Sequence, residues 1–214
     1  MDLSGRVVAL VGASGGLGRA LHEEFAARGA AVVPMSRSTV PSVDVRDTRA
    51  GDAIVEHVVT LHGRLDVVVV ASGVVAFGDL ADTDDVILEE LLLTNAMGPL
   101  WLAKRALPAL AATEGCFVAI SGVVAEQPQA GMAAYTASKA ALAAGLAAIR
   151  REFRRHRVSV IDVRPPHTET GLATRPLAGT APRMPTGLDP ATVASRVADA
   201  IEHGLTELPA SSFA

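Results

Sequence analysis

The sequence predicts an α/β fold in one domain spanning residues 1–214, with a doubly wound parallel sheet between two layers of helices, α/β/α. Three observations carry this. Short β-branched runs alternate with longer Ala/Leu-rich amphipathic runs along the chain, which is the pattern of βαβ units. The β-branched runs are nearly all apolar, as in "LDVVVVA" and "VSVIDV", as expected of strands covered on both faces. A glycine cluster, "VGASGGLG" at residues 11–18, separates the first of these runs from the first helical one.

Strands are predicted at Arg6–Val11, Ala31–Met35, Leu65–Ala71, Gly115–Ser121 and Val158–Val163, and helices at about Leu17–Arg28, Thr48–His62, Thr83–Ala112, Ala133–His156 and Pro190–His203. Only six residues separate Arg37 from Asp44, too few for a helix and a full crossover, so any strand after the second must be short or unusually connected. Pro34 removes a ladder donor and marks that sheet edge as irregular. The helix around 87–111 is apolar nearly all round, which predicts cover on both sides: the sheet on one, a second subunit on the other. The helix after Tyr135 is Ala-rich, which permits close helix approach, although Ala also simply favours helix. A homodimer or homotetramer through the helices around 87–111 and 135–155 is expected. Residues 165–190, rich in Pro, Thr and Gly, read as one long loop, of the kind that often forms a substrate lid.

Half of the 214 residues are hydrophobic but only 3% are aromatic, so the core must be built from Ala, Val and Leu. A formal net charge of -4 argues against nucleic acid or an anionic membrane as partner. The amino end lacks the pattern of a signal peptide, and no uncharged apolar run approaches the ~20 residues of a membrane helix. One cysteine, Cys116, excludes an internal disulfide and fits a reducing compartment. The expected location is the cytoplasm. The six histidines lack paired metal-ligand spacing, so no metal site is expected.

The glycine cluster follows a strand and precedes a helix, the setting a phosphate-binding loop requires. Gly12 permits a sharp turn, Gly16 lets backbone approach a pyrophosphate, and Gly18 lets the helix pack on the strand. Together with Ser14, Gly15 and Leu17 they are the candidate phosphate contacts, backed by the unpaired N–H groups of the helix amino end. The alternative is a tight turn alone. Downstream, "YTASK" places Tyr135 and Lys139 four apart, on one helix face. A tyrosine of pKa near ~10 is a poor acid-base catalyst at neutral pH, and a neighbouring ammonium brings it toward the useful range.

With "GASGGLG", "YTASK" and "TNAMGP" in this order, nearly the whole chain resembles the short-chain dehydrogenase/reductase family, whose fold is Rossmann-like. The resemblance implies an oxidoreductase that interconverts a carbonyl and an alcohol, with a small-molecule substrate. It implies that Asn95 holds a water in the proton relay, that Tyr135 donates the proton, and that Lys139 lowers the tyrosine pKa and binds the nicotinamide ribose. Asp44 and Val45 in "SVDVRD" would flank the adenine. "VASG" stands where the family has Asn-Asn-Ala-Gly, making Ala71, Ser72 and Gly73 cofactor neighbours. "PPHTET" falls where the family has Pro-Gly-x-x-x-Thr, so Pro165, Thr168 and Thr170 are expected at the nicotinamide, with Thr170 at the carboxamide.

At the position that resembles the family's NAD-selecting Asp stands Ser36, followed by Arg37. A carboxylate would repel a 2′-phosphate, whereas serine and arginine can bind one. NADP(H) is therefore expected over NAD(H). Gly122 occupies the position of the family's catalytic Ser, thirteen residues before the Tyr. Ser121 is one residue early, on the opposite strand face unless the strand end twists, so Ser121, a water, or neither polarises the carbonyl. A cofactor-binding sensor or scaffold without turnover is the second expectation. Pro166 replaces a Gly and offers no N–H. His167 reads as structural or substrate-contacting, and "RREFRRHR" as a helix end complementing the dipole. Glu126, Gln127 and Gln129 read as either pocket lining or loop caps, and Thr168, Glu169 and Arg175 give the lid some polar character.

Overall fold

The computed structural model describes residues 1–213. Its elements are β1 (Val7–Val11), α1 (Gly16–Ala27), β2 (Ala31–Met35), α2 (Ala50–His62), β3 (Val67–Val70), α3 (Asp85–Leu92), α4 (Gly98–Thr113), β4 (Cys116–Ile120), α5 (Ala133–Phe153), β5 (Ser159–Val163), α6 (Pro190–His203) and β6 (Glu207–Leu208). All pairings in the six-stranded sheet are parallel, in the order β2-β1-β3-β4-β5-β6. The chain winds outward from β1 to β2 and then back past it to β3. The winding reverses between β1 and β3, where ligands of open α/β sheets bind.

Alternation along each strand builds two cores. Val68 and Val70 of β3 join Phe117 and Ala119 of β4 beneath α2, α4 and α5, through Ile54, Val58, Leu102, Ala106, Leu142 and Leu146. Val67 and Val69 face the other way, onto Leu21 and Phe25 of α1 and Val193, Val197 and Ile201 of α6. Below the sheet Asp66, its side chain fully buried, accepts from the Val7 N–H at 2.9 Å and pairs with Arg6 and Arg64. These contacts outweigh its burial and hold its carboxyl below the usual range.

Three features depart from the sequence-based expectations. The long helix predicted at Thr83–Ala112 runs from Asp85 to Thr113 but changes winding, with a π-helical stretch at Leu93–Met97 joining α3 to α4. That helix is long and apolar enough to cross a membrane by length and composition, although charges at Glu89, Glu90, Lys104 and Arg105 interrupt it; here Leu102, Ala103, Ala106 and Leu110 pack on the sheet. β6, only two residues long and half polar, carried no pattern to find. Beyond β2 the outer strand shrinks to one bridge, Ser36 to Ser42, as the short Arg37–Asp44 connection requires. Pro34 lies in the edge strand β2, opposite Leu10, as its missing N–H demands. The close helix approach expected of the Ala-rich helix occurs within the chain, where a Cβ on Gly145 would lie 2.8 Å from Leu100.

Candidate active site

The glycine loop leaves β1 at the reversal point. Gly12 has φ +90°, and a Cβ there would stand 2.4 Å from the backbone nitrogen of Ser72. Only glycine serves both the turn and the close approach to the end of β3. Its N–H donates to the Met35 carbonyl at 2.8 Å. α1 then starts with Gly15 at its cap and no side-chain cap bond, so its first N–H groups are unclaimed by side chains and face the loop. Gly18 packs tightly on Gly12 and Ala13. Ser14 is exposed, and Leu17 is partly buried against the α1–α6 core. Gly16, expected against a pyrophosphate, lies beneath the backbone of Thr170: a Cβ on it would be 2.4 Å from that carbonyl oxygen. The lid thus reaches the loop.

At the adenosine end, Ser36 is buried and its hydroxyl is bonded to Ser38, while Arg37 is exposed and forms no ion pair among the described residues. Asp44 is gripped by Arg46, which holds its carboxyl below the usual range, and Arg46 also spans to Glu90 at 2.8 Å. Val45 rests on Gly98, where a Cβ would stand 2.6 Å from its carbonyl oxygen. Gly98 was missed as a site residue; the "MGP" following Asn95 was its only signal.

Asn95, Lys139 and Gly73 converge. A Cβ on Gly73 would meet Asn95 Oδ1 at 3.3 Å and Lys139 Nζ at 3.4 Å. Asn95 lies in the π-helical stretch, whose wider turn disturbs the regular i→i−4 ladder. Its side chain clamps Val74, accepting from the N–H and donating to the carbonyl, both at 2.9 Å, and it also donates to Ser138 at 3.0 Å. The amide is therefore occupied with protein partners.

Tyr135 and Lys139 share a buried face of α5, with the ammonium 6.0 Å from the ring centre. Lys139 donates to the Ile120 carbonyl at 2.7 Å. Burial pushes the lysine down to about 8, with the charge of Asp162 opposing. Burial pushes the Tyr135 phenol up to about 12. In this arrangement burial is what governs the phenol, while the ammonium is turned to the Ile120 carbonyl.

Ser121 is fully buried and donates its hydroxyl to the Asp162 carboxylate. That bond removes it from the role of carbonyl donor considered for it. Gly122 has φ +88°, and its missing Cβ would meet nothing within 4 Å. The family's serine position is open space on a backbone that disfavours side chains.

Pro165 is buried at the exit of β5, and Thr168 donates to the Pro166 carbonyl. The lid is pinned at its base, where Thr168 bridges Leu188, and at its tip, where Phe77 N–H donates to Ala178 and Leu177 N–H to Val75. Its polar side chains serve the lid itself: Glu169 accepts from Gly187 N–H at 2.8 Å and lies near His167, and Arg175 donates to the Gly171 carbonyl. Tyr135 clusters instead with Val75, Phe77, Val124 and Met132, and with Leu172 and Ala178 nearby. The wall beside the phenol is apolar, which corrects the expected polar character. Glu126 is paired with Arg164 at 2.6 Å, and Gln129 caps Gln127. Cys116 is buried, its thiol pushed up to about 12. A surface concavity lined by Arg6, Gly63, Arg64, Leu65, Thr113 and Glu114 lies at the opposite end of the strands and contains no candidate site residue.

The residues present fit a dinucleotide. Ser72 Oγ is buried with no partner beside Gly12, Arg37 is unpaired among the described residues, and the α1 terminus has no side-chain cap.

A family model described as short chain dehydrogenase matches residues 38–178, a span holding Asn95, Tyr135 and Lys139 but beginning after the glycine loop. The chain is 31% identical over 202 residues to a dehydrogenase/reductase SDR family protein 7-like of Anopheles gambiae, covering 83% of this chain and 64% of that protein. It spans from about half to just under two thirds of the length of the first curated relatives it matches. A short-chain dehydrogenase from Streptomyces avermitilis superposes with a TM-score of 0.85 at 27% identity, over 96% of this chain and 88% of that one. A short chain dehydrogenase from Burkholderia cenocepacia, solved with NADP, superposes at 0.86 and 23% identity, over 98% and 89%.

Proposed function

The chain belongs to the short-chain dehydrogenase/reductase family, and from that premise we propose that it is an NADP(H)-dependent oxidoreductase interconverting a carbonyl and an alcohol, with Tyr135 as proton donor. The observation that carries this reading is the meeting of Asn95 Oδ1 and Lys139 Nζ at Gly73, one helical turn from Tyr135. The glycine loop and the start of α1 would hold the pyrophosphate, with Ser72 beside it, and Thr170 would meet the carboxamide. Ser36 and Arg37 would take the 2′-phosphate, and Asp44 and Val45 the adenine. NADP in the Burkholderia structure supports this choice of cofactor. When bound, the nicotinamide would supply the hydride. Tyr135 gives its proton to the nascent alkoxide, Lys139 stabilises the phenolate left behind, and Asn95 braces the wall at Val74. With Ser121 held by Asp162, the Tyr135 hydroxyl alone points the carbonyl, and the apolar wall favours an uncharged carbonyl compound.

The reading includes a cytoplasmic location, supported by the lone cysteine. It includes a homodimer or homotetramer through the outer faces of α3–α4 and α5, supported by the exposed Val86 and Met97. Residues 165–190 act as its substrate lid within one domain. The second reading, an NADP(H)-binding sensor without turnover, is favoured by one observation: no hydroxyl stands at position 122. The two part on NADPH consumption with diketones, quinones and aldehydes. Turnover with NADPH well above NADH supports the enzyme; tight NADPH binding with no turnover across the panel supports the sensor.

A further inference from the structure

Asp162 is a carboxylate for which hydride transfer has no use. It is the fourth residue of β5, level with Ala119 of β4, and it is 2% exposed. Two residues before it Val160 sits in the core under α5, so Asp162 shares that face. A carboxylate stripped of water there is tolerated only if its charge is answered.

The groups around it answer it unequally. Ser121, at the end of β4, donates its hydroxyl to Asp162. Arg164, two residues on, approaches only to 3.6 Å and is shared with Glu126 and Glu207, each at 2.6 Å. Arg150 of α5 directs its guanidinium to the carbonyls of Val160 and Thr206, and Glu207 of β6 opposes ionisation. Lys139 of α5 is the remaining cation. It is 4% exposed, forms no ion pair among the described residues, and its ammonium rests on the carbonyl of Ile120, the residue directly before Ser121. Two buried, opposite charges are thus held at one corner, the cation by the backbone at Ile120 and the anion by the next side chain.

We propose that Asp162 is a positioning residue for Lys139: clamped by the Ser121 hydroxyl, its carboxylate keeps the buried lysine an ammonium beside Tyr135. The arrangement accounts for a serine at 121 and a glycine at 122 together. The hydroxyl lies one residue back along the chain and serves the acid behind the lysine instead of the substrate. Burial lowers Lys139 and Asp162 opposes that fall; burial likewise raises the Asp162 carboxyl, and the Ser121 hydroxyl foremost opposes that rise.

The proposal rests on the Tyr135–Lys139 reading of the site. Asp162→Asn keeps an oxygen for Ser121 and removes the charge. Without that charge Lys139 loses its proton at lower pH, so the alkaline limb of kcat measured from pH 6 to 9.5 moves down by about one pH unit or more, and the variant's deficit grows with pH. A limb that stays in place, or a loss equal at every pH as a purely structural acid would give, overturns the proposal. A second measurement needs neither substrate nor a folded variant. In the unmodified protein, NMR of the Asp162 carboxyl carbon and the Lys139 Nζ is expected to show both responding at one common pH. A carboxyl signal that ignores the lysine titration overturns the proposal. If no carbonyl is turned over, the enzyme reading fails while this titration still decides the pairing.

Discussion

The Lys139 ammonium donates to the Ile120 carbonyl at 2.7 Å, on the last residue of β4, while standing 6.0 Å from the centre of the Tyr135 ring. The lysine is anchored to the sheet and not bonded to the phenol. Because burial lowers Lys139 to about 8, carbonyl reduction should fall as pH rises through about 8, where the ammonium is lost. A kcat profile flat to pH 9.5 would contradict this.

Arg37 is exposed, with no ion pair among the described residues, beside the buried Ser36. Arg37→Ala should weaken NADPH binding roughly ten- to a hundredfold, the value of one charge-assisted contact, and leave NADH binding unchanged. Fluorescence titration with both cofactors measures the ratio.

Gly16→Ala would place a methyl 2.4 Å from the Thr170 carbonyl oxygen. Backbone cannot yield there without lifting the lid from the loop. NADPH binding should weaken by about tenfold or more, and trypsin should cut faster after Arg183, the lid arginine not followed by proline. Unchanged cleavage would show that the lid does not rest on Gly16.

Asp66 accepts from the Val7 N–H and pairs with Arg6 and Arg64. Asp66→Ala leaves that buried N–H unpaired and should cost about 2–3 kcal/mol at neutral pH by urea melting. The carboxyl is depressed in the fold, so its contribution is complete above its unfolded pKa of about 4. It is lost as pH falls through the lower folded value. The gap between parent and variant should therefore shrink in strong acid.

The sequence made the interior strands plain because parallel strands buried on both faces leave unbroken apolar runs, and Val67–Val70 has no other reading. The glycine loop and the Tyr135–Lys139 pair were equally legible, since each depends on spacing within one element. The π-helical stretch at Leu93–Met97 was not, because a change of winding leaves the apolar pattern intact. The Ser121–Asp162 bond depends on the register between β4 and β5, which only the paired sheet reveals. Likewise, Glu169 and Arg175 gave the lid a polar composition, but their hydrogen bonds run back into the lid and leave the Tyr135 wall to Val75, Phe77 and Leu172.

Tyr135 carries the proposed proton transfer. The most direct measurement is single-turnover oxidation of bound NADPH, followed by absorbance, for the parent and Tyr135→Phe with whichever carbonyl the parent reduces fastest. The variant's rate is expected to be lower by about a hundred- to ten-thousandfold with NADPH affinity retained. A variant that reduces the carbonyl as fast as the parent would contradict that role.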